Sequence, residues 1–166
     1  GGAGLIRSVV NNASVPVIQT GTGNCHIYVD SEANIEMAIS VVMNAKTQRP
    51  SVCNAMETLL INKEIAEKFV PIIATELATK NVELRCCDDT YSIIEKAELL
   101  NCTKVIHATE EDWDTEYDNL ILAIKLVDDY KEAVEHINKH GTGLPEAIIT
   151  ENYNKVRYFQ DNVDAA

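Results

Sequence analysis

The sequence has few of the features that mark a membrane protein or a nucleic-acid-binding protein. Of its 166 residues, 14 are Lys or Arg and 26 are Asp or Glu, which gives a net charge of −12. Phosphate backbones and anionic membrane surfaces bind clusters of basic residues, so this acidic balance argues against both as partners. No apolar run approaches the roughly 20 residues that a membrane-spanning helix requires. The first residues also lack the layout of a secretory signal, in which basic residues precede an apolar stretch.

The cysteines are odd in number and include no Cys-x-x-Cys pair. They are Cys25, Cys53, Cys86, Cys87 and Cys102. This pattern fits reduced thiols better than a disulfide framework or a zinc site, and the four histidines are scattered. We therefore expect a cytoplasmic protein with no bound metal.

The spacing of apolar residues predicts strands and helices in regular alternation. The predicted strands are 15–19, 25–30, 58–62, 82–86, 104–108, 120–127 and 147–150. The predicted helices carry the apolar stripe of Ile35, Ala38, Ile39, Val42 and Met43, then cover 63–79, 91–99 and 129–139, and end with a helix carrying Val156, Phe159 and Val163. Such alternation indicates one layered α/β domain, with a largely parallel sheet and helices on both faces.

Two helix ends carry recognisable signals. Ser31 or Asp30 is placed to cap the helix that begins near Ile35, since short polar side chains accept hydrogen bonds from the first free N–H groups of a helix. The helix 129–139 is followed by His140 and Gly141, and glycine at such a position often adopts the left-handed conformation.

The segment NAKTQRPSVCN (44–54) concentrates cations, amides and one thiol between a predicted helix and the next strand. Pro50 favours the first position of a short helical turn, which would place Cys53 close to a helix amino end. The unpaired N–H groups and partial positive charge of such an end favour a thiolate over a thiol. Lys46 and Arg49 would add to that effect. Cys53 is therefore a candidate nucleophile.

These residues also have an ordinary structural interpretation. A free cysteine commonly behaves as a small buried hydrophobe, and this applies to Cys53 and still more to the other four cysteines. Lys46 and Arg49 could be solvated charges at the end of a helix. The spacing of the residues leaves both interpretations open.

Three other features are weaker signals of function. The loop TGTGN (20–24) matches neither the Walker pattern nor the dinucleotide fingerprint, so we interpret it as a tight turn. The acidic run 110–117 is typical of a solvated loop. His26 and His107 are single histidines in predicted strands, which we interpret as core or surface residues rather than as catalytic bases.

Five stretches of the sequence are similar to the gamma-glutamyl phosphate reductases, a family within the aldehyde dehydrogenase superfamily. They are VPVIQTGTGNCHIYVD (15–30), NAKTQRPSVCN (44–54), DWDTEY (112–117), HINKHGT (136–142) and EAIITEN (146–152). The resemblance extends over essentially the whole chain. It implies an aldehyde-dehydrogenase-like catalytic domain.

The resemblance also implies a reaction. The family reduces L-glutamyl 5-phosphate to L-glutamate 5-semialdehyde in proline biosynthesis, with NADPH as hydride donor and phosphate as leaving group. Cys53 matches the cysteine that attacks the acyl phosphate and forms a thioester. Glu116 falls where the superfamily has a glutamate that contacts the nicotinamide ribose. Gln19 falls where hydrolytic members have a water-activating glutamate, and a reductase has no need of such a base.

Three residues beside Cys53 are candidates for binding an anion. Lys46 and Arg49 have the charge and the position to meet the acyl phosphate or the substrate carboxylate, and Asn54 directly follows the cysteine. We expect these side chains to bind the substrate.

We expect the chain to be a fragment of a longer protein. By the resemblance, residues 1–23 would be the last helix and strand of a cofactor-binding lobe, and 24–166 the catalytic domain without its carboxyl-terminal end. Such a fragment is expected to be inactive alone, and the full-length enzyme to be a homo-oligomer.

Two other functions remain open at this stage. Cys53 could serve a cysteine hydrolase or acyltransferase that uses His26 or His107 as its base, which requires one of these rings within hydrogen-bond reach of the thiol. Alternatively, the chain could be a non-catalytic interaction module in which Cys53 is inert.

Overall fold

A computed structural model of the chain describes residues 3–18 and 22–166. Its helices are α1 (Ala3–Asn12), α2 (Ile35–Thr47), α3 (Lys63–Ala78), α4 (Asp88–Lys96), α5 (Tyr130–His140) and α6 (Tyr153–Asn162). Its strands are β1 (Cys25–Val29), β2 (Met56–Asn62), β3 (Glu83–Cys86), β4 (Val105–His107), β5 (Ile121–Val127) and β6 (Ala147–Ile149). A short 3₁₀ helix, Glu110–Asp114, precedes β5.

The six strands form one sheet in the order β4-β3-β5-β2-β1-β6, and every neighbouring pair is parallel. The predicted α/β architecture with a parallel sheet is therefore confirmed. All strands point the same way, so their amino ends share one edge of the sheet and their carboxyl ends share the other. In the part of the chain that the structure describes, no helix has the length and apolarity needed to cross a membrane.

Alternate side chains of the central strands pack against different helices. Ile27 of β1 and Leu59 of β2 belong to a core shared with α2, α3 and α4. Tyr28 and Leu60, the next residues on each strand, pack with residues of α5 and α6. The period of two along each strand thus places helices on both faces of the sheet, as the sequence predicts.

The predicted strand 15–19 is wrong for its described residues. Residues 15–18 have no regular structure, and the side chains of Val15 and Ile18 are exposed. Within the described ranges no strand pairs with this segment, so its β-branched residues have no partner on which to form a ladder. Gln19, the last residue of the predicted strand, lies outside the described residues, as do the first two positions of the predicted turn 20–24.

Both predicted helix-end signals need correction. Asn34, and not Ser31 or Asp30, caps α2, because its Oδ1 accepts a hydrogen bond of 3.0 Å from the amide of Met37. Gly141 has an extended backbone with φ of −66° and not a left-handed one. Its role comes from close approach instead, since a Cβ there would lie 2.6 Å from the carbonyl oxygen of Ile137.

Asp30 ties the carboxyl end of β1 to β6 and α6. Its carboxylate is fully buried and accepts hydrogen bonds from Lys155 at 2.8 Å, from Thr150 at 2.8 Å and from the hydroxyl of Tyr28 at 3.0 Å. Burial would raise the pKa of Asp30, but the hydrogen bonds from Lys155 and Thr150 outweigh it and hold the pKa below its usual value. The charged carboxylate is thus part of the folded state.

Replacing Asp30→Asn should therefore destabilise the chain strongly. The loss of a buried charge partner costs about 3 kcal/mol of the free energy of unfolding, measured from the urea midpoint. Asp161→Asn is the matched control, because Asp161 pairs with Arg157 on the surface of α6 at 3.2 Å. An exposed pair of this kind contributes at most about 0.5 kcal/mol. Equal midpoints for the two variants would contradict the role given to Asp30.

Candidate active site

The candidate residues gather at the edge of the sheet where the strands begin. Gly23 lies two residues before β1, Cys53 three residues before β2 and Glu116 five residues before β5. Glu146 directly precedes β6. Ligands of open parallel sheets commonly bind at the opposite edge, where the strands end. This site is therefore built by the loops that enter the strands.

Cys53 is exposed in a series of turns that covers residues 50–55. The amide of Ala55 donates a hydrogen bond of 2.9 Å to the carbonyl of Val52, which closes the turn around the cysteine. The interpretation of Cys53 as a buried hydrophobe is therefore wrong. The predicted helix amino end is wrong as well, because β2 begins at Met56 and the chain enters an extended conformation before a helix can form.

The residues that lead into β1 pack against residues 50–55, which we call the cysteine loop. A Cβ built on Gly23 would lie 2.2 Å from the carbonyl oxygen of Cys53, so only glycine allows this approach of the two backbones. Two residues after Gly23, the Cys25 thiol donates to the same carbonyl at 3.4 Å. Burial raises the pKa of Cys25 to about 12, which keeps this neighbouring thiol protonated.

Glu116 reaches the same place from the segment before β5. Its Oε1 accepts a hydrogen bond of 2.6 Å from the amide of Gly23. The amide of Gly23 thus holds the Glu116 carboxylate, and the same residue leaves no room for a Cβ against the backbone of Cys53. The structure therefore brings together Cys53 and Glu116, which are 63 positions apart in the sequence.

The acidic run is not the solvated loop that the sequence predicts. Asp112 and Trp113 are buried. The Oδ1 of Asp112 accepts hydrogen bonds from Arg85 at 2.7 Å and from the hydroxyl of Tyr117 at 2.8 Å. These contacts fix the segment that carries Glu116. A lone tryptophan within a charged run was the signal in the sequence that part of the run is buried.

Lys46 is neither a solvated charge nor an exposed ligand for an anion. Its side chain is fully buried, and its ammonium lies 2.5 Å from Oε2 of Glu57, which is also buried. Burial lowers the pKa of Lys46 and raises the pKa of Glu57. The interpretation as a solvated charge is wrong, and the ammonium is directed to Glu57 and not to the exposed side of the loop.

Arg49 and Asn54, in contrast, are exposed on either side of Cys53. Asn54 also lines a cleft of about 230 Å³ together with Cys25, His26 and Glu146. Of the three predicted anion-binding residues, Arg49 and Asn54 are therefore the exposed ones, and their role in binding stays a prediction.

The two histidines proposed as bases for Cys53 are engaged elsewhere. The Nδ1 of His26 lies 3.2 Å from both carboxylate oxygens of Glu146, inside the protein. His107 is exposed on β4, the outermost strand, where it contacts Asp88 at 2.9 Å and stacks on Tyr91. Among the described residues, no hydrogen bond joins the thiol of Cys53 to a histidine. The hydrogen-bond partners of both rings are thus carboxylates and not the thiol.

His136 is a buried polar residue that the sequence reasoning missed. Its Nδ1 accepts a hydrogen bond of 3.3 Å from Lys125, and its ring packs edge-on against His26 and Trp113. Burial lowers the pKa of His136 to about 2, so the ring is neutral. The spacing of His136 from Ala133 and Ile137, both buried on α5, was the available signal.

Comparisons with known proteins show which sequences and folds this chain resembles. The chain is 55% identical over its whole length to the gamma-glutamyl phosphate reductase of Moorella thermoacetica, of which it covers 38%. The crystal structure of gamma-glutamyl phosphate reductase from Thermotoga maritima superposes with a TM-score of 0.92 at 49% identity, over 99% of this chain and 38% of that one. No protein-family model matches the chain. The resemblance to the gamma-glutamyl phosphate reductases is confirmed.

The chain also has the fold of more distant aldehyde dehydrogenases. An acetylating aldehyde dehydrogenase from Geobacillus thermoglucosidasius superposes with a TM-score of 0.70 at 20% identity, over 99% of this chain and 43% of that chain. The predicted aldehyde-dehydrogenase-like architecture is confirmed. The chain nevertheless spans less than two fifths of the length of each of the two gamma-glutamyl phosphate reductases named above.

Gly23→Ala should displace the cysteine loop of this reductase-like segment. The new Cβ would meet the Cys53 carbonyl at 2.2 Å, so the two strand entries must separate. We expect a loss of about 1–3 kcal/mol in unfolding free energy, measured in urea, and shifted amide resonances for residues 50–55. Gly4→Ala is the control, because a Cβ on Gly4 meets nothing within 4 Å. An unshifted loop in Gly23→Ala would contradict the contact.

His136 should make the chain unstable in acid. Its folded pKa of about 2 lies below the value near 6.5 of an unfolded histidine, so its contribution is complete above pH 6.5 and is lost as the pH falls. The slope reaches about 1.4 kcal/mol per pH unit. Urea unfolding of the wild type and of His136→Gln between pH 7 and pH 4.5 should show the steeper loss in the wild type. Parallel curves would refute the burial of a neutral ring.

Proposed function

We propose that the protein containing this chain reduces L-glutamyl 5-phosphate to L-glutamate 5-semialdehyde with release of phosphate, a step of proline biosynthesis. The observation that best supports this proposal is the exposed Cys53, held in a tight turn beside Gly23 and Glu116. The identity with gamma-glutamyl phosphate reductases supports the choice of substrate.

Cys53 is the nucleophile of the proposed reaction. Its thiolate attacks the acyl carbon of the substrate, the carbon–sulfur bond forms, and the bond to the phosphate oxygen breaks, which leaves a thioester on Sγ. The exposure of Cys53 allows the substrate to approach, whereas the buried Cys25 and Cys86 are closed to it. Phosphate takes up one proton from solvent as it leaves as HPO₄²⁻, and this balances the proton that Cys53 gives up when its thiolate forms.

Arg49 and Asn54 are proposed to bind the anionic groups of the substrate. Both are exposed next to Cys53, and an arginine can donate two parallel hydrogen bonds to a phosphate or a carboxylate. The buried Lys46 is not proposed as a ligand, because Glu57 already accepts from its ammonium.

Glu116 is proposed to hold the nicotinamide ribose of NADPH. Its carboxylate is half-buried, its Oε1 is fixed by the amide of Gly23, and its Oε2 accepts from no described residue. A carboxylate in this state fits a pair of ribose hydroxyls. When bound, NADPH supplies a hydride to the thioester carbon. The resulting hemithioacetal then breaks its carbon–sulfur bond, which releases the aldehyde and returns Cys53 to the thiolate.

Gln19 supports reduction over hydrolysis. It lies outside the described residues, and its place in the sequence corresponds to the water-activating glutamate of hydrolytic superfamily members. An amide cannot accept a proton from water at neutral pH, so a glutamine at this position of the sequence does not supply the base that thioester hydrolysis requires. No observation favours the cysteine hydrolase, since neither histidine is bonded to the thiol.

We propose that residues 1–23 belong to the end of a cofactor-binding lobe and 24–166 to the catalytic domain, in a cytoplasmic enzyme that assembles as a homo-oligomer. The exposed apolar side chains of Leu5, Val9 and Val10 on α1 fit a helix that packs on another lobe. We expect the 166-residue chain alone to be inactive, because one ribose contact cannot hold the cofactor.

Cys53→Ser tests the proposal in the full-length enzyme. The reduction rate should fall by about 10³-fold or more, since an alkoxide does not form at neutral pH. Cys102→Ser is the matched control and should keep the wild-type rate, because Cys102 is also exposed but lies before β4, away from the site. Substantial activity in Cys53→Ser would refute the nucleophile, and inertness of the wild type toward acyl phosphates would refute the function.

A further inference from the structure

The buried ion pair of Lys46 and Glu57 joins the two chain segments on either side of the cysteine loop. Lys46 lies seven residues before Cys53, near the end of α2, and Glu57 lies four residues after it, at the start of β2. The side chains are 0% and 1% exposed, and their charged atoms are 2.5 Å apart. The pair thus joins the two stems from which the loop projects.

Global stability does not account for this pair. Removing two charges from water costs several kcal/mol, and apolar side chains of similar size often stabilise a core equally well. What the ion pair supplies, and an apolar pair does not, is a set of directed contacts. These contacts lead to the segment that carries Glu116.

Glu57 and Lys46 both contact the residues that follow Glu116. The Oε1 of Glu57 accepts from the amide of Asp118 at 3.3 Å, and the ammonium of Lys46 lies 5.9 Å from the centre of the Tyr117 ring. Gly23 connects this segment back to the cysteine, because its amide donates a hydrogen bond to Glu116 and its backbone lies against that of Cys53. The position of Glu116 relative to the thiol therefore depends on the pair.

We propose that Lys46 and Glu57 are positioning residues. They fix the position of the cysteine loop relative to Glu116 without touching the substrate. The proposal rests on the function given above, in which Cys53 carries the acyl group and Glu116 the ribose. Displacements of about 1 Å between reacting groups can lower a rate by about 10²-fold. A shift of Cys53 relative to Glu116 is therefore expected to reduce the rate of turnover more than the affinity for the substrate.

The first test uses amide exchange in the 166-residue chain, which needs no activity. In Glu57→Gln and in the double variant Lys46→Met with Glu57→Met, the amides of Gly23 and Asp118 should exchange at least about 5-fold faster by NMR, because their carboxylate acceptors shift or are lost. Amides of Val29 and Leu60 in the sheet should keep the wild-type rate. Unchanged exchange at Gly23 in the double variant would overturn the proposal, whether or not Cys53 is the nucleophile.

The double variant separates positioning from folding. It leaves no unpaired buried charge, so we expect it to unfold at a urea concentration close to that of the wild type. In the full-length enzyme its kcat should nevertheless fall by about 10- to 100-fold with an unchanged KM for the acyl phosphate. A wild-type kcat in this variant would mean that the pair has only a structural role and would overturn the proposal.

Lys63→Met is the matched control for the loss of a lysine. Lys63 forms an exposed pair with Asp128 at the opposite edge of the sheet, where β2 ends, and its variant should match the wild type in exchange and in kcat. The substrate-binding alternative predicts a different pattern. A raised KM in Lys46→Met combined with a normal KM and kcat in Glu57→Gln would show that Lys46 binds the acyl phosphate, and would overturn the proposal.

Discussion

The close approach of two backbones at Gly23 and Cys53 is the constraint on which the site depends. No side chain separates the entry to β1 from the turn before β2, and the amide of Gly23 remains free to bind Glu116. One glycine therefore connects the proposed nucleophile with the proposed ribose contact. The parallel order of β5, β2 and β1 makes this possible, because it places the three strand entries side by side.

The proposed active site and the buried contacts of Asp30 lie at opposite edges of the sheet. The carboxyl ends of β1 and β6 are tied to α6 by the buried Asp30, which is linked to Lys155 and Thr150. The amino edge carries the exposed Cys53 and two exposed polar neighbours, Arg49 and Asn54. A rigid sheet thus holds a loop that is open to solvent, which suits a nucleophile that must first meet its substrate and then release a product.

The fold could be predicted from the sequence because apolar periodicity reports burial directly. The strands and helices after residue 24 follow that pattern, whereas residues 15–18 contain β-branched side chains but lack a strand to pair with. The contacts of charged residues could not be predicted in the same way. Lysine and aspartate usually lie at the surface, so their residue types give no sign that Lys46 and Asp112 are buried. Their partners, Glu57 and Arg85, are brought to them only by the fold. The proposed role of Cys53 rests on the resemblance, since the helix end predicted beside it is not formed.

The site of acylation in the full-length enzyme tests most directly whether Cys53 is the nucleophile. L-glutamyl 5-phosphate is supplied without NADPH, the protein is digested at low pH, and the acylated peptide is identified by mass spectrometry. We predict one glutamyl group on the peptide that contains Cys53, with release of an equal amount of phosphate. An acyl group on another cysteine, or phosphate release without acylation of Cys53, would contradict this prediction.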